Sequence, residues 1–309
     1  MDDWIRRLEL QGYHLFGEHQ HSATKPCLWL KKAMRGGEFC YKGRFYGVAS
    51  HRCIQMTPTI LCNQACIHCW RPFIELSEDD IVWDTPSELI QALLLEHRRI
   101  LSGYGGSDTT DTKRLREAAE PKHVAISLIG EPTIYPYLPA FIDELNALGY
   151  TTFLVTNGTN PEMLRRVRPT QAYLSLNAPN RDLYERICHP DDDYWERIME
   201  SLETLSKLRT RKVIRLTMIK GVNMVDPDVY ARLIHRAEPD FIEVKSYMHL
   251  GYSRMRLDRS NMPSHNEIRE FTGKIVDSLD GYAIEDESEI SRVVLVMRED
   301  FSDKRFLEV

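Results

Sequence analysis

Residues 55–72 read QMTPTILCNQACIHCWRP. The apolar run 55–61 predicts a strand. Three cysteines follow at once, Cys62, Cys66 and Cys69, spaced C-x3-C-x2-C. Thiolates are the natural ligands of iron–sulfur clusters, and three of them on one tight loop hold three irons of a cubane and leave the fourth open. A zinc site usually wants four protein ligands in two separated pairs. His68 would complete such a set only with strain, since it lies between two of the cysteines. Three buried structural cysteines fit poorly with a loop that also carries Asn63, Gln64 and His68.

Outward from this loop the same rhythm repeats. Apolar runs at 123–128, 152–156, 172–176, 213–219, 241–245 and 293–297 predict further strands. Between them Leu and Ile recur at three- and four-residue spacing over 87–101, 138–148, 194–208, 228–237 and 265–279, which predicts helices. Thr85-Pro86-Ser87-Glu88 and Asp226-Pro227-Asp228 carry helix-start signals, and Gly149 is a stop. This alternation predicts an α/β fold with a parallel sheet. Periodicity leaves both an open doubly wound sheet and a complete or partial (β/α) barrel standing. The first stretch, up to about residue 50, reads as helical and polar. Residues 102–112, SGYGGSDTTDT, read as a mobile solvated connection, the alternative being a lid.

The 309 residues are 42% hydrophobic, enough for a sizeable core, and Lys+Arg 40 against Asp+Glu 46 leaves a net charge of -6. That balance excludes a globally basic nucleic-acid binder and permits a local basic patch. No apolar run reaches the ~18 residues a membrane helix needs. The start, MDDWIRRLELQGYHLFGEH, lacks the basic-then-apolar pattern of a secretory leader, so the expectation is a cytoplasmic protein. Cysteine totals seven, an odd number, and all but Cys188 fall between Cys27 and Cys69. This fits metal or redox chemistry better than a disulfide framework.

On these motifs the chain resembles the radical S-adenosylmethionine (SAM) superfamily. Gly130-Glu131-Pro132, after the second predicted strand, is similar to that superfamily's Gly-Gly-Glu segment, with Ile129 in place of the first glycine. The resemblance implies a partial (β/α)6 TIM-like barrel over 55–309 with a C-terminal strand, preceded by an N-terminal helical extension over 1–54. It implies a [4Fe-4S] cluster on Cys62, Cys66 and Cys69, with SAM contacts at Gly130, Glu131, Asn157, Ser175 and Asn177. Adenine contacts are implied near Ile219-Lys220-Gly221 and Tyr247-Met248.

Cys27, Cys40 and Cys53 lie thirteen residues apart. With Ser127-Leu128-Ile129-Gly130-Glu131-Pro132 and Ser175-Leu176-Asn177-Ala178-Pro179, they narrow the resemblance to the archaeal tRNA 4-demethylwyosine synthases. That family implies a second, auxiliary [4Fe-4S] cluster on Cys27, Cys40 and Cys53. It implies tRNA(Phe) bearing N1-methylguanosine-37 and pyruvate as substrates, and a carbon–carbon lyase reaction in which a radical made from SAM takes hydrogen from the N1-methyl group. It makes Lys42 the amine that forms an imine with pyruvate. It also implies a separate flavodoxin- or ferredoxin-like electron donor and no membrane association. Candidate tRNA contacts are Arg165, Arg166 and Arg168; Arg209, Arg211, Lys212 and Arg215; Arg254, Arg256 and Arg259; and Arg35, Lys42 and Arg44, with Trp70, Tyr247 and Tyr252 as stacking partners for a displaced base. Cys188 reads as buried and without a role, the alternative being a fourth ligand to the second cluster. Two other readings stay open. One is another radical SAM enzyme with an auxiliary cluster, acting on RNA or peptide. The other is a non-enzymatic iron–sulfur or zinc protein that binds RNA.

Overall fold

The computed structural model describes residues 2–74 and 77–308. Its ten strands are β1 (His14–Phe16), β2 (Ser22–Thr24), β3 (Cys53–Thr57), β4 (His123–Ile126), β5 (Thr151–Thr156), β6 (Gln171–Ser175), β7 (Arg211–Met218), β8 (Phe241–Ser246), β9 (Tyr282–Ser288) and β10 (Val293–Arg298). They form one sheet in the order β1-β2-β3-β4-β5-β6-β7-β8-β10-β9. From β3 to β8 every pairing is parallel, as alternating strand and helix require. β1 and β2 extend one edge antiparallel, and β10 and β9 the other. The two edges do not pair, so the half-barrel is open rather than closed.

Side chains alternate between the two faces of each strand. On the outer face Ile54, Val124, Leu154, Leu174, Ile214, Val244 and Val296 pack under the helices in one continuous core. The helix Pro86–Ser102 begins with a capping box between Thr85 and Glu88 and buries Leu89, Ile90 and Leu93. The helices Leu138–Ala147, Trp195–Lys207, Pro227–Ala237 and His265–Val276 cover the rest. The inner face carries Ala125, Phe153, Tyr173, Val213, Phe241 and Leu295, plugged by Phe45 and Tyr46 of the short helix Tyr41–Tyr46. That plug is fastened from the far end of the chain. Arg305 donates to the carbonyl of Phe45 at 3.1 Å, and Leu307 to that of Tyr46 at 3.1 Å.

The N-terminal stretch departs from its helical reading. It holds the helices Asp2–Leu10, Leu28–Ala33 and Tyr41–Tyr46, but also the β1–β2 hairpin. β2 pairs with β3, so the sheet runs straight across the 54/55 division. The first strand expected at 55–61 in fact covers 53–57. Pro58 lacks the N–H a ladder needs, and the chain leaves the sheet there.

Candidate active site

The cysteine loop follows β3 and is pinned from both sides. Ala65 donates its main-chain N–H to the carbonyls of Cys188 (2.9 Å) and His189 (3.1 Å), and Ile67 donates to Ile187 at 2.9 Å. The loop therefore rests on the end of the helix Arg181–Cys188. Asn63 Nδ2 donates to Thr159 Oγ1, and Asn157 Nδ2 donates to Asn63 Oδ1, each at 2.8 Å. On the other side Arg256 donates to the carbonyl of Cys69, and Arg71 to that of Ser127 at 2.6 Å.

The thiols of Cys62 and Cys69 are pushed up, first by desolvation and then by neighbouring thiols of the same triad, with the Glu131 carboxylate adding to the effect at Cys62. For Cys66 the hydrogen bond with the Cys188 thiol leads and burial follows. Cys188 is buried, as expected, and lies beside this triad and not beside the second, which sets aside the alternative of an auxiliary fourth ligand. Burial and the Arg215 and Arg256 guanidiniums hold His68 down at about 4, so the imidazole between the cysteines is neutral.

The residues expected to hold SAM line the ends of β4, β5 and β6. Gly130 has φ +73°, and a Cβ there would collide with the carbonyls of Thr59 and Leu61, so only glycine lets this turn reach the cysteine loop. Glu131 is buried. Its Oε1 accepts from Thr133 N (3.1 Å), Thr133 Oγ1 (2.6 Å) and Thr156 Oγ1 (2.6 Å), and its Oε2 accepts from Asn157 N at 2.7 Å. Burial pushes the carboxyl up against those bonds. Asn157, Ser175 and Asn177 line one cleft with Gln64, Tyr184 and Trp195. Asn177 Oδ1 is buried and has no partner among the described residues, an acceptor waiting for a donor. Ile219 donates to Asn223 Oδ1 at 2.6 Å, and Asn223 donates to the Asn177 carbonyl at 2.8 Å, which fixes the turn. Lys220 points outward to Glu267 at 2.5 Å. Tyr247 is buried against Ser253 and His249.

The second triad forms where the short helices begin. Cys27 caps the helix Leu28–Ala33, its thiol accepting from Leu30 N at 3.3 Å, and Cys40 precedes the helix Tyr41–Tyr46. Burial pushes the Cys27 thiol up, and Cys40 adds to it. Burial, Cys27 and Cys40 push Cys53 up, while Lys42 pulls it down. The three thiols and Lys42 therefore share one electrostatic neighbourhood. Among the described residues no three His, Cys, Asp or Glu side chains close on a single-ion position. A cubane's thiolates instead serve separate irons, and all six thiols are free.

Lys42 points inside. Its Nζ lies 4.5 Å from the centre of the Tyr173 ring and 4.9 Å from that of Phe153. Burial pulls its pKa down, against Glu243, Cys53 and Cys40. Around it stand residues that the sequence reading passed over. Tyr41 and Tyr46 donate to Glu243 at 2.9 and 2.8 Å, and burial with Arg215 brings Lys245 down to about 8. The signal was present. Arg211 and Arg215 on β7, and Glu243 and Lys245 on β8, sit at alternate positions of apolar strands, which puts them on the inner face.

The same alternation corrects one candidate tRNA patch. Arg215 is internal and donates to Ser175 Oγ at 3.2 Å. Arg211 stacks on Phe241 and Tyr46, and Lys212 is buried. Arg165, Arg166, Arg168 and Arg209 precede β6 and β7, at the strand ends opposite the cysteine loop. Arg254, Arg256 and Arg259 follow β8 at the loop's own end, and Trp70 is half-buried there beneath Arg71. Arg35 and Arg44 are exposed near the second triad, with Arg44 paired to Asp286.

A strand-end thiolate triad beside a Gly-Glu turn and an open half-barrel defines a radical SAM enzyme, and the radical SAM superfamily profile matches residues 56–234. A second profile, wyosine base formation, matches residues 236–298. The chain is 48% identical over 299 residues to the S-adenosyl-L-methionine-dependent tRNA 4-demethylwyosine synthase of Pyrococcus abyssi, covering 94% of this chain and 87% of that protein. It is 43% identical to the synthase of Methanocaldococcus jannaschii, covering 94% of each. A solved structure of TYW1 with a lysine-pyruvate adduct bound superposes with a TM-score of 0.90 at 39% identity, covering 99% of this chain and 98% of that one. The chain belongs to the S-adenosyl-L-methionine-dependent tRNA 4-demethylwyosine synthase family. Membership brings SAM and a [4Fe-4S] cluster, and among the described residues no helix is long and apolar enough to cross a membrane.

Proposed function

We propose that this enzyme builds 4-demethylwyosine from N1-methylguanosine-37 of tRNA(Phe) and pyruvate, with Lys42 as the amine that captures pyruvate. The observation that carries this reading is the setting of Lys42: an ammonium beside the second triad, between two aromatic faces, with burial favouring its neutral form. A neutral amine is the nucleophile imine formation needs. Its nitrogen bonds to the carbonyl carbon of pyruvate, and the carbonyl oxygen leaves as water. The lysine-pyruvate adduct bound in the similar TYW1 structure supports this reading.

Cys62, Cys66 and Cys69 would hold the SAM-binding cluster, and Cys27, Cys40 and Cys53 an auxiliary one. When bound, the first supplies the electron that cleaves SAM. Glu131 would accept from the SAM amino group through the remaining capacity of Oε2, while Gly130, Asn157, Ser175 and Asn177 would seat the rest. The auxiliary triad would place a metal centre beside Lys42 to orient the keto acid. Arg254 and Arg259, exposed at the mouth, would meet tRNA phosphates, while Arg256 stays on the Cys69 carbonyl. Electrons would come from a separate flavodoxin- or ferredoxin-like donor.

The test is anaerobic incubation of reconstituted enzyme with SAM, reductant, pyruvate and methylated tRNA(Phe), followed by mass analysis of nucleoside 37. A tricyclic product that requires pyruvate is expected, and Lys42→Met should abolish it while SAM cleavage continues. An unchanged product yield from that variant would overturn the role of Lys42.

A further inference from the structure

The interior of the half-barrel holds more positive charge than its own carboxylate answers. Glu243 is fully buried, and both of its oxygens already accept tyrosine hydroxyls, from Tyr41 at 2.9 Å and Tyr46 at 2.8 Å. Lys245 follows two residues later on the same face of β8. Its Nζ lies 4.7 Å from the centre of the Tyr41 ring and makes no hydrogen bond or ion pair among the described residues. Lys42, the chain neighbour of Tyr41, likewise has none. Lys245 over the Tyr41 ring and Lys42 over the Tyr173 and Phe153 rings thus both face this interior, neither with a counter-ion of its own among the described residues. Arg215, across from Glu243 in register, turns its guanidinium toward Ser175 and the SAM side. An inward-facing ammonium without a paired anion is costly and is kept where a ligand supplies the charge.

A 2-oxo acid carries its carboxylate one bond from the carbonyl an amine attacks. We propose that Lys245 binds the carboxylate of the keto acid whose carbonyl Lys42 captures, and so selects an acid over a neutral carbonyl compound. This rests on the reading of Lys42 given above. Lys245 neutralises the carboxylate by a charge-assisted hydrogen bond and takes no part in bond making. Met matches the lysine stem in length and removes a charge that Arg215 and Lys42 repel, so Lys245→Met is expected to fold.

The test uses anaerobic holoenzyme as wild type, Lys245→Met and Lys245→Arg, with SAM cleavage as the check of an intact fold. Oxamate, a keto-acid isostere that forms no imine, is titrated by calorimetry. Lys245→Met should bind it ~10–100-fold more weakly, the loss of one hydrogen bond to a charged group, and Lys245→Arg should restore most of the affinity. In parallel, cyanoborohydride traps the Lys42 adduct with pyruvate and with pyruvamide, which lacks the charge. Lys245→Met should raise the pyruvate concentration needed for trapping and leave pyruvamide unaffected. Unchanged oxamate affinity, or equal loss of pyruvate and pyruvamide trapping, would overturn the assignment. If wild type traps nothing on Lys42, the imine reading fails by itself, and the oxamate titration still decides the part played by Lys245.

Discussion

Tyr252 donates its main-chain N–H to the carbonyl of Trp70 at 3.0 Å, joining the segment after β8 to the cysteine loop. Residue 251 is glycine at φ +52°, and a Cβ there would run into that same carbonyl. Gly251→Ala should push the segment away and pull Arg256 off Cys69. A cost of about 1–3 kcal/mol is expected. Urea denaturation should show a lower midpoint, and the reconstituted variant should retain less iron.

The roles proposed for the two thiol triads differ, and substitution tells them apart. Ser at Cys62, Cys66 or Cys69 should abolish 5′-deoxyadenosine formation. Ser at Cys27, Cys40 or Cys53 should leave much of that cleavage and stop ring closure, with iron falling from about eight to about four per chain, the content of two cubanes and of one. Unaltered ring closure in the second group would remove the auxiliary cluster from the mechanism.

Glu131 accepts from four donors, two of them main-chain N–H groups that can only donate, so the Glu131→Gln amide keeps one acceptor oxygen and turns its NH2 either on the Asn157 N–H or on the Thr133 N–H. An expected loss of about 1–3 kcal/mol follows from the mismatch, together with weaker SAM binding. Chemical denaturation and SAM titration check the two effects separately.

His97, buried on the helix Pro86–Ser102, donates from Nε2 to the carbonyl of Ala118 at 2.9 Å. Burial holds its pKa below the ordinary value. The unfolded chain therefore takes up more protons than the folded one as pH falls below about 6.5, and stability is lost on acidification. Between pH 7.5 and 5.5 the urea midpoint should drop, this group contributing at most about 1.4 kcal/mol per pH unit. His97→Gln keeps a donor without the titration, so its midpoint should drop less.

The chemistry-bearing motifs were legible because their spacing is local. Three thiols within eight residues, or Gly130 beside Glu131, declare themselves before any fold is known. The edges of the sheet were not. β1 and β2 are three residues each, too short for alternation to show, and β9 (YAIEDES) is a polar edge strand without an apolar face to betray it. Arg211, Lys212 and Arg215 read as a basic run along the chain, whereas the sheet turns Arg211 and Arg215 inward. Glu243 and Lys245 gained meaning only when the helix Tyr41–Tyr46 was seen packed against them. Its partners are some 200 positions away, beyond the reach of any periodicity.

The clasp from Arg305 and Leu307 to Phe45 and Tyr46 bears on how the molecule matures. A nascent chain on the ribosome displays the cysteine loop long before residues 305–307 emerge, and until they do, the helix that carries Lys42 has its tyrosine bonds to Glu243 but not this clasp. On the proposed roles, metal loading at the first triad would precede completion of the pocket around Lys42, and the capacity to make radicals would come ahead of the capacity to spend them on the right partner.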